Sequence, residues 1–219
     1  GKLVELARLV RERCLDLIVC DDELKPSQQR AIENALEIKV IDRTALILDI
    51  FATRAKTREG RLQVQLAQSE YLLPRLAGQW AHLERLGGGI GTRGPGEAQI
   101  ETDRRLVRRQ IATIKKQLEQ VRLQRSQRRQ SRTKNEVQSV SLVGYTNAGK
   151  SALFNRLVRG EVTVRDQLFS TLDTTTRRLY LPSGGETTIN DTVGFVRKLP
   201  AILVAAFRAT LEELNHSDL

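Results

Sequence analysis

Across 219 residues the chain carries 36 basic and 26 acidic side chains, a formal charge of +10, and only 4% aromatic residues. That length holds one large domain or two smaller ones, and that charge points to a polyanionic partner. No run of about 18 apolar residues occurs, which excludes a transmembrane helix, and the opening Gly1-Lys-Leu-Val-Glu5 does not resemble a signal peptide.

The opening is already periodic: Leu3, Val4, Leu6, Leu9 and Val10 recur at helical spacing, so an amphipathic helix is expected over 3–13. The chain is therefore expected to start inside a domain. A strand is expected over 15–20, a helix from Pro26 to Leu36 with proline at its favoured first position, a second strand over 38–41, and a helix resuming near Thr44. Alternating β and α elements imply parallel pairing with helices packed on the sheet. Two strands are few for a stable sheet, so part of this domain is expected before residue 1. Cys14 and Cys20 flank an apolar run with no further cysteine or nearby histidine, which favours a core role over a redox pair or metal site. Low cysteine use and the lack of a targeting segment lead us to expect a cytoplasmic protein.

A different pattern begins near residue 57. Leu62, Leu66, Leu73, Leu76, Trp80 and Leu83 follow steps of four and three, with Ser69 filling the missing register, a heptad seam. Pro74 interrupts it, and a kink rather than a break is expected there. The glycine-rich stretch 87–96 follows, and then a long helix over 98–134 with the stripe Val107, Ile111, Ile114, Leu118 and Val121. At about 1.5 Å per residue it would run roughly 50–55 Å. An antiparallel helical hairpin turning at the glycines is the simplest assembly. The glycine stretch follows a helix rather than a strand, so it is not a dinucleotide fingerprint; it is either a flexible linker or a turn that folds against RNA.

Nearly all of the net charge lies on that second helix. Between Gln99 and Asn135 twelve basic and three acidic residues leave +9 of the chain's +10. A solvated helix face usually mixes signs to form pairs, and here carboxylates are scarce. Arg104, Arg105, Arg108, Arg109, Arg122, Arg125, Arg128, Arg129 and Arg132, with Arg93 from the glycine stretch, are the candidate contacts to nucleic-acid phosphates. With so few aromatics, backbone recognition of folded RNA is favoured over stacking on single strands.

The third segment, from about residue 137, carries the most informative motif. Gly144, Tyr145, Thr146, Asn147, Ala148, Gly149, Lys150 and Ser151 form a complete G-x-x-x-x-G-K-[ST] loop between the apolar run 139–143 and a stretch of helical spacing from Ala152 to Val158. Strand, glycine loop and helix in that order is the context a phosphate site needs. Backbone N–H groups wrap the phosphate, the helix start adds partial positive charge, Lys150 reaches the β- and γ-phosphates, and Ser151 offers a hydroxyl to Mg²⁺. Downstream, Asp191, Thr192, Val193 and Gly194 make a D-x-x-G element after a strand-like run, about 40 residues beyond the loop, as in a GTPase switch. Asp191 would hold Mg²⁺ through water, and the Gly194 amide would approach the γ-phosphate. Lys150 and Gly194 are thus the groups expected to act in catalysis. Between the two motifs, the polar loop 167–177 offers several threonines as a further Mg²⁺ ligand, and spacing does not choose among them.

Taken together, the phosphate loop, the Phe169-Ser170-Thr171-Leu172-Asp173 loop, Asp191-Thr192-Val193-Gly194-Phe195 and Gly87–Glu97 with Gln99, Glu101 and Asp103-Arg104-Arg105 resemble the HflX family of ribosome-associated GTPases. The likeness extends to Val40-Ile-Asp-Arg-Thr44. It implies an α/β fold in three parts: an N-terminal α/β subdomain over 1–56, an antiparallel helical hairpin over 57–136, and the first part of a P-loop GTPase domain over 137–219, incomplete at both chain ends. It further implies that Thr171 joins Ser151 on Mg²⁺, that residues 169–173 border the nucleotide, that GTP is the substrate, and that the partner is the large ribosomal subunit and its RNA, with ribosome splitting or rescue as the outcome. Asn147 resembles the residue with which some GTPases hold K⁺.

Two departures bear on mechanism. No Asn-Lys-x-Asp element follows the switch, so the guanine-reading motif is expected beyond residue 219. Phe195 stands where many GTPases carry the glutamine that orients water, so slow intrinsic hydrolysis, stimulated by the ribosome, is expected. Two rivals are an Obg-like assembly GTPase and an RNA-binding protein whose nucleotide site is not catalytic. Oligomeric state and use of ATP are not legible.

Overall fold

A computed structural model describes residues 1–76, 95–133, 138–158, 172, 174–182, 184–196, 199–206 and 217, with the side chains of 95–98, 128–133 and 206 outside that description. Two compact units emerge, residues 1–49 with 68–112, and residues 50–67 with 113–219.

In the first unit, α1 (Lys2–Arg13) leads to β1 (Leu17–Cys20), α2 (Pro26–Leu36), β2 (Lys39–Asp42) and the start of α3 (Arg43–Arg54). Helix α1 ends on Cys14 in the left-handed region, whose N–H returns to the Val10 carbonyl. Pro26 opens α2, and the Lys25 N–H donates to the Gln28 side chain at 3.0 Å, satisfying an orphan donor at the helix start. Strands β1 and β2 pair in parallel, Leu17 opposite Lys39 through Cys20 opposite Asp42. The apolar side chains of β2, α2 and α3 are its core, with Val40, Leu36, Ile47 and Leu48 buried.

The core role expected of the cysteines does not hold. Cys14 is exposed and Cys20 only half-buried. Cys14 caps a helix, which puts its side chain at the surface, and the strand begins at Leu17, two residues later than expected.

Asp42 closes β2 and serves as N-cap of α3, accepting from the Ala45 N–H at 2.8 Å. Its two oxygens also accept from the Leu24 N–H at 3.1 Å, the Tyr71 hydroxyl at 2.9 Å and Arg75 Nη2 at 3.3 Å. Arg75 lies 3.5 Å over the Tyr71 ring and donates to Gln29 and to the carbonyls of Leu24 and Tyr71. Burial, then the Asp42 carboxylate, pushes the Tyr71 hydroxyl well above the usual phenol range. A fully buried carboxylate is stable only when its lone pairs are satisfied in this way.

Helix α4 (Arg58–Leu72) buries Leu62, Leu66 and Ser69, the expected seam, and also Gln63, Val64 and Ala67, so its covered face is wider than two positions in seven. The kink expected at Pro74 is a break instead. The helix stops at Leu72 and residues 73–75 form a turn in which the Arg75 N–H donates to the Leu72 carbonyl at 2.8 Å. Proline has no N–H to continue the ladder and disfavours helical geometry at Leu73. Leu76 is buried beyond the turn; Trp80, Leu83 and residues 87–94 lie outside the described residues. Helix α5 (Pro95–Thr133) is 39 residues long. Ile114 is buried in its stripe, with Val107, Ile111, Leu118 and Val121 half-buried beside it. In the second unit Arg125, near the end of α5, pairs with Glu59 at the start of α4 at 2.8 Å.

The rest of the second unit is a three-stranded sheet in the order β3-β5-β4, from β3 (Gln138–Leu142), β4 (Thr175–Tyr180) and β5 (Glu186–Asp191), with α6 (Lys150–Val158) and the short α7 (Ala201–Ala206). β3 and β5 are parallel; β4 runs antiparallel to β5. Residues 175–177, expected in a loop, belong to β4, whose β-branched and aromatic side chains suit a strand once β5 is there to pair with it. Phe154, Ile189 and Leu203 are fully buried. Among the described residues no helix is long and apolar enough to cross a membrane.

Candidate nucleotide-binding site

The sheet delivers the phosphate loop and the D-x-x-G element to the same place. β3 and β5 are adjacent and parallel, with Leu142 opposite Asp191 at their carboxyl ends. Both motifs start from those ends, the position at which open α/β sheets bind ligands. Asn147 and Gly149 take positive φ, 63° and 84°, and these two left-handed residues bend the loop before α6 begins at Lys150. Glycine adopts that geometry at no steric cost, and asparagine tolerates it better than most residues. Tyr145, Asn147, Ala148 and Gly149 are exposed, as a cradle must be, while Gly144 and Thr146 are half-buried.

Ser151 and Asp191 converge below the loop. The Ser151 hydroxyl donates to Asp191 Oδ2 at 2.5 Å, and both residues are buried. Thr192 ties the following turn back to β3 by donating to the Leu142 carbonyl at 2.6 Å. Behind Asp191, the fully buried Asn190 donates to Ser139 and Ser141 and accepts from Thr176, crosslinking all three strands. Val193 is half-buried and Gly194 is buried against the loop. Lys150 Nζ donates to the Tyr145 carbonyl at 2.8 Å. Burial lowers the pKa of this lysine below the ordinary range, and the Asp191 carboxylate pulls the other way. A partly desolvated ammonium beside a buried carboxylate is charge held ready for an anion.

Other expected site residues are not brought together by what is described. Leu172 is buried, while Phe169, Ser170, Thr171 and Asp173 lie outside the described residues. On α5, Arg105, Arg108, Arg109 and Arg122 are exposed and Arg104 is half-buried. Arg108 pairs with Glu101 at 3.8 Å and Arg122 with Glu119 at 4.0 Å, both long and exposed. Arg125 is turned instead toward Glu59, with 30% of its side chain exposed. Arg93 and the side chains of Arg128, Arg129 and Arg132 fall outside the description.

Three family models cover almost the whole chain: a GTP-binding GTPase N-terminal region over residues 1–52, a GTP-binding GTPase middle region over 54–132, and a 50S ribosome-binding GTPase over 139–218. Aligned over all of this chain, the GTPase HflX of Alkalihalophilus pseudofirmus is 58% identical over 219 residues. The chain belongs to the HflX GTPase family. The GTPase HflX of Escherichia coli is 56% identical over the same span. The chain covers 52% and 51% of these two HflX proteins, about half the length of each. A solved structure described as a complex of SsGBP with GDP superimposes at a TM-score of 0.52 with 27% identity, over 98% of this chain and 56% of that one. HflX membership places the loop and the D-x-x-G element within a GTPase family, and the geometry above shows them assembled at one sheet end.

Proposed function

We propose that this chain supplies the phosphate-binding half of a GTPase that docks on the large ribosomal subunit in its GTP state and leaves after hydrolysis, acting in the cytoplasm to split or rescue ribosomes. The observation that carries the proposal is the buried Ser151–Asp191 pair beneath an exposed glycine cradle. A hydroxyl and a carboxylate are hard oxygen donors, the set Mg²⁺ prefers, so the residues present fit that ion. Ser151 would ligate it directly, Asp191 through water, and Thr171 would complete the set. Bound there, Mg²⁺ neutralises charge on the terminal phosphates. The chain's own part is positioning. Residues 144–151 hold the phosphates, Lys150 turns from the Tyr145 carbonyl to meet them, Gly194 offers its amide, and residues 169–173 and 191–194 border the nucleotide. Asn147 would add K⁺ beside the phosphates. No covalent residue is needed, because charge placement and orientation carry phosphoryl transfer.

The docking element in this proposal is α5, whose exposed arginines meet ribosomal RNA phosphates. The division of the chain near residues 56 and 136 into α/β part, hairpin and GTPase part belongs to the same reading, supported by the spans of the three family models. Hydrolysis by the full-length protein tests it: large subunits should raise the rate, and replacing K⁺ with Na⁺ should lower it. A rate indifferent to ribosomes would leave the site a nucleotide clamp of another purpose. The RNA contact has its own test. Each phosphate neutralised steepens the fall of log affinity with log salt by about 0.7–0.9, so changing Arg108 and Arg109 to alanine should flatten that slope by about 1.5. An unchanged slope would take this face of α5 out of the interface.

A further inference from the structure

The D-x-x-G segment is bonded to the phosphate loop through its backbone. The Phe195 N–H donates to the Gly144 carbonyl at 3.0 Å and the Thr146 N–H donates to the Phe195 carbonyl at 2.8 Å, a parallel bridge that sets Tyr145 opposite Phe195. Gly194 is pressed against it. A Cβ there would stand 2.6 Å from both Cα and N of Thr146 and 2.9 Å from Lys150 Nζ. The two Thr146 atoms are backbone and cannot swing away as the lysine side chain could.

The consequence depends on which phosphate each group serves. The first N–H groups of α6 have no acceptor within their own helix, and they face the loop whether or not the bridge is made. The bridge instead takes up the Thr146 N–H and brings Gly194 against the lysine ammonium. Lys150 and the Gly194 amide are the groups a third phosphate needs.

We propose that the Thr146–Phe195 bridge makes the resting site selective for a nucleoside diphosphate. The diphosphate enters the cradle with the bridge closed; a triphosphate enters only by parting Phe195 from Gly144 and Thr146. The inference rests on the nucleotide reading above and adds to it where the cost of the third phosphate is stored. The bridge is made by backbone, and the Phe195 side chain is 38% exposed, so every residue except proline retains the N–H that donates to Gly144.

Amide hydrogen exchange of the unmodified full-length protein reads the bridge directly. The Phe195 amide should be protected without nucleotide and with GDP, and should exchange freely with a non-hydrolysable GTP analogue. Losing a backbone bond or two corresponds to about 5- to 30-fold in an equilibrium. Phe195→Pro should therefore narrow the ratio of GDP affinity to analogue affinity by that factor, while Phe195→Ala leaves the ratio as it was. Equal protection of the Phe195 amide with GDP and with analogue would overturn the inference, as would a ratio that proline does not move. If neither nucleotide binds, the nucleotide reading falls and takes the inference with it; if both bind with equal protection, the inference falls alone.

Discussion

Changing Lys150 to alanine is expected to weaken GTP binding about 10- to 150-fold, the worth of a hydrogen bond to a charged group, and to slow hydrolysis by a further factor of about 10² to 10³. Thermal stability without nucleotide should barely move. In the resting structure Lys150 Nζ donates to one backbone carbonyl, and burial already disfavours its charge. The separation of the two readouts is what makes the test specific: titration with a fluorescent guanine nucleotide reports the first, and a melting curve reports the second. Unchanged affinity would remove the phosphate loop from the site. A large loss of stability would show that Lys150 holds the fold together rather than waiting for a ligand.

The second large effect lies in the N-terminal unit, far from any nucleotide chemistry in the sequence. Asp42→Ala leaves the Arg75 guanidinium, the Tyr71 hydroxyl and the Leu24 N–H without the acceptor they share, and removes the N-cap of α3. Breaking one side of a buried ion pair costs about 3–5 kcal/mol. The denaturation midpoint should fall accordingly, with loss of amide protection in β2 and α3. Asp42→Asn should cost less, because a carboxamide oxygen still caps Ala45. Adding Arg75→Met to Asp42→Ala should recover part of the loss by removing the stranded charge. A double variant as unstable as the sum of its parts would mean that the two residues act independently.

What the sequence shows well is whatever is local. The phosphate loop is legible because eight consecutive residues and their flanks carry the whole signal, and β3, the loop and α6 form where that pattern puts them. Asp191 is legible through its short motif and distance from the loop, and the pairing of β3 with β5 then brings it to Ser151. Helix α5 is legible because its stripe and its charge run unbroken for many turns.

The misses are interactions between distant residues, or between backbone atoms that leave no trace in composition. Asp42, Tyr71 and Arg75 lie 29 and 33 residues apart, and each alone reads as an ordinary polar side chain. Nothing about Phe195 announces that its backbone bonds to Gly144 and Thr146. Cys14 and Cys20 look apolar by their neighbours, yet a helix cap and a sheet edge bring them toward solvent. Strand β4 was hidden because its threonines resemble a loop until β5 supplies a partner. At Pro74 the heptad pattern argued for continuity, and the missing N–H prevailed over it.

The claim that organises this account is that nucleotide state sets ribosome binding. It is tested most directly by sedimenting the full-length protein with separated ribosomal subunits in the presence of a non-hydrolysable GTP analogue, of GDP, or of no nucleotide. The account predicts that the protein pellets with the large subunit in the analogue state and remains in the supernatant in the other two. Equal pelleting in all three states would make α5 a constitutive RNA-binding helix and contradict a GTP-timed cycle, and failure to pellet in any state would contradict ribosome binding itself.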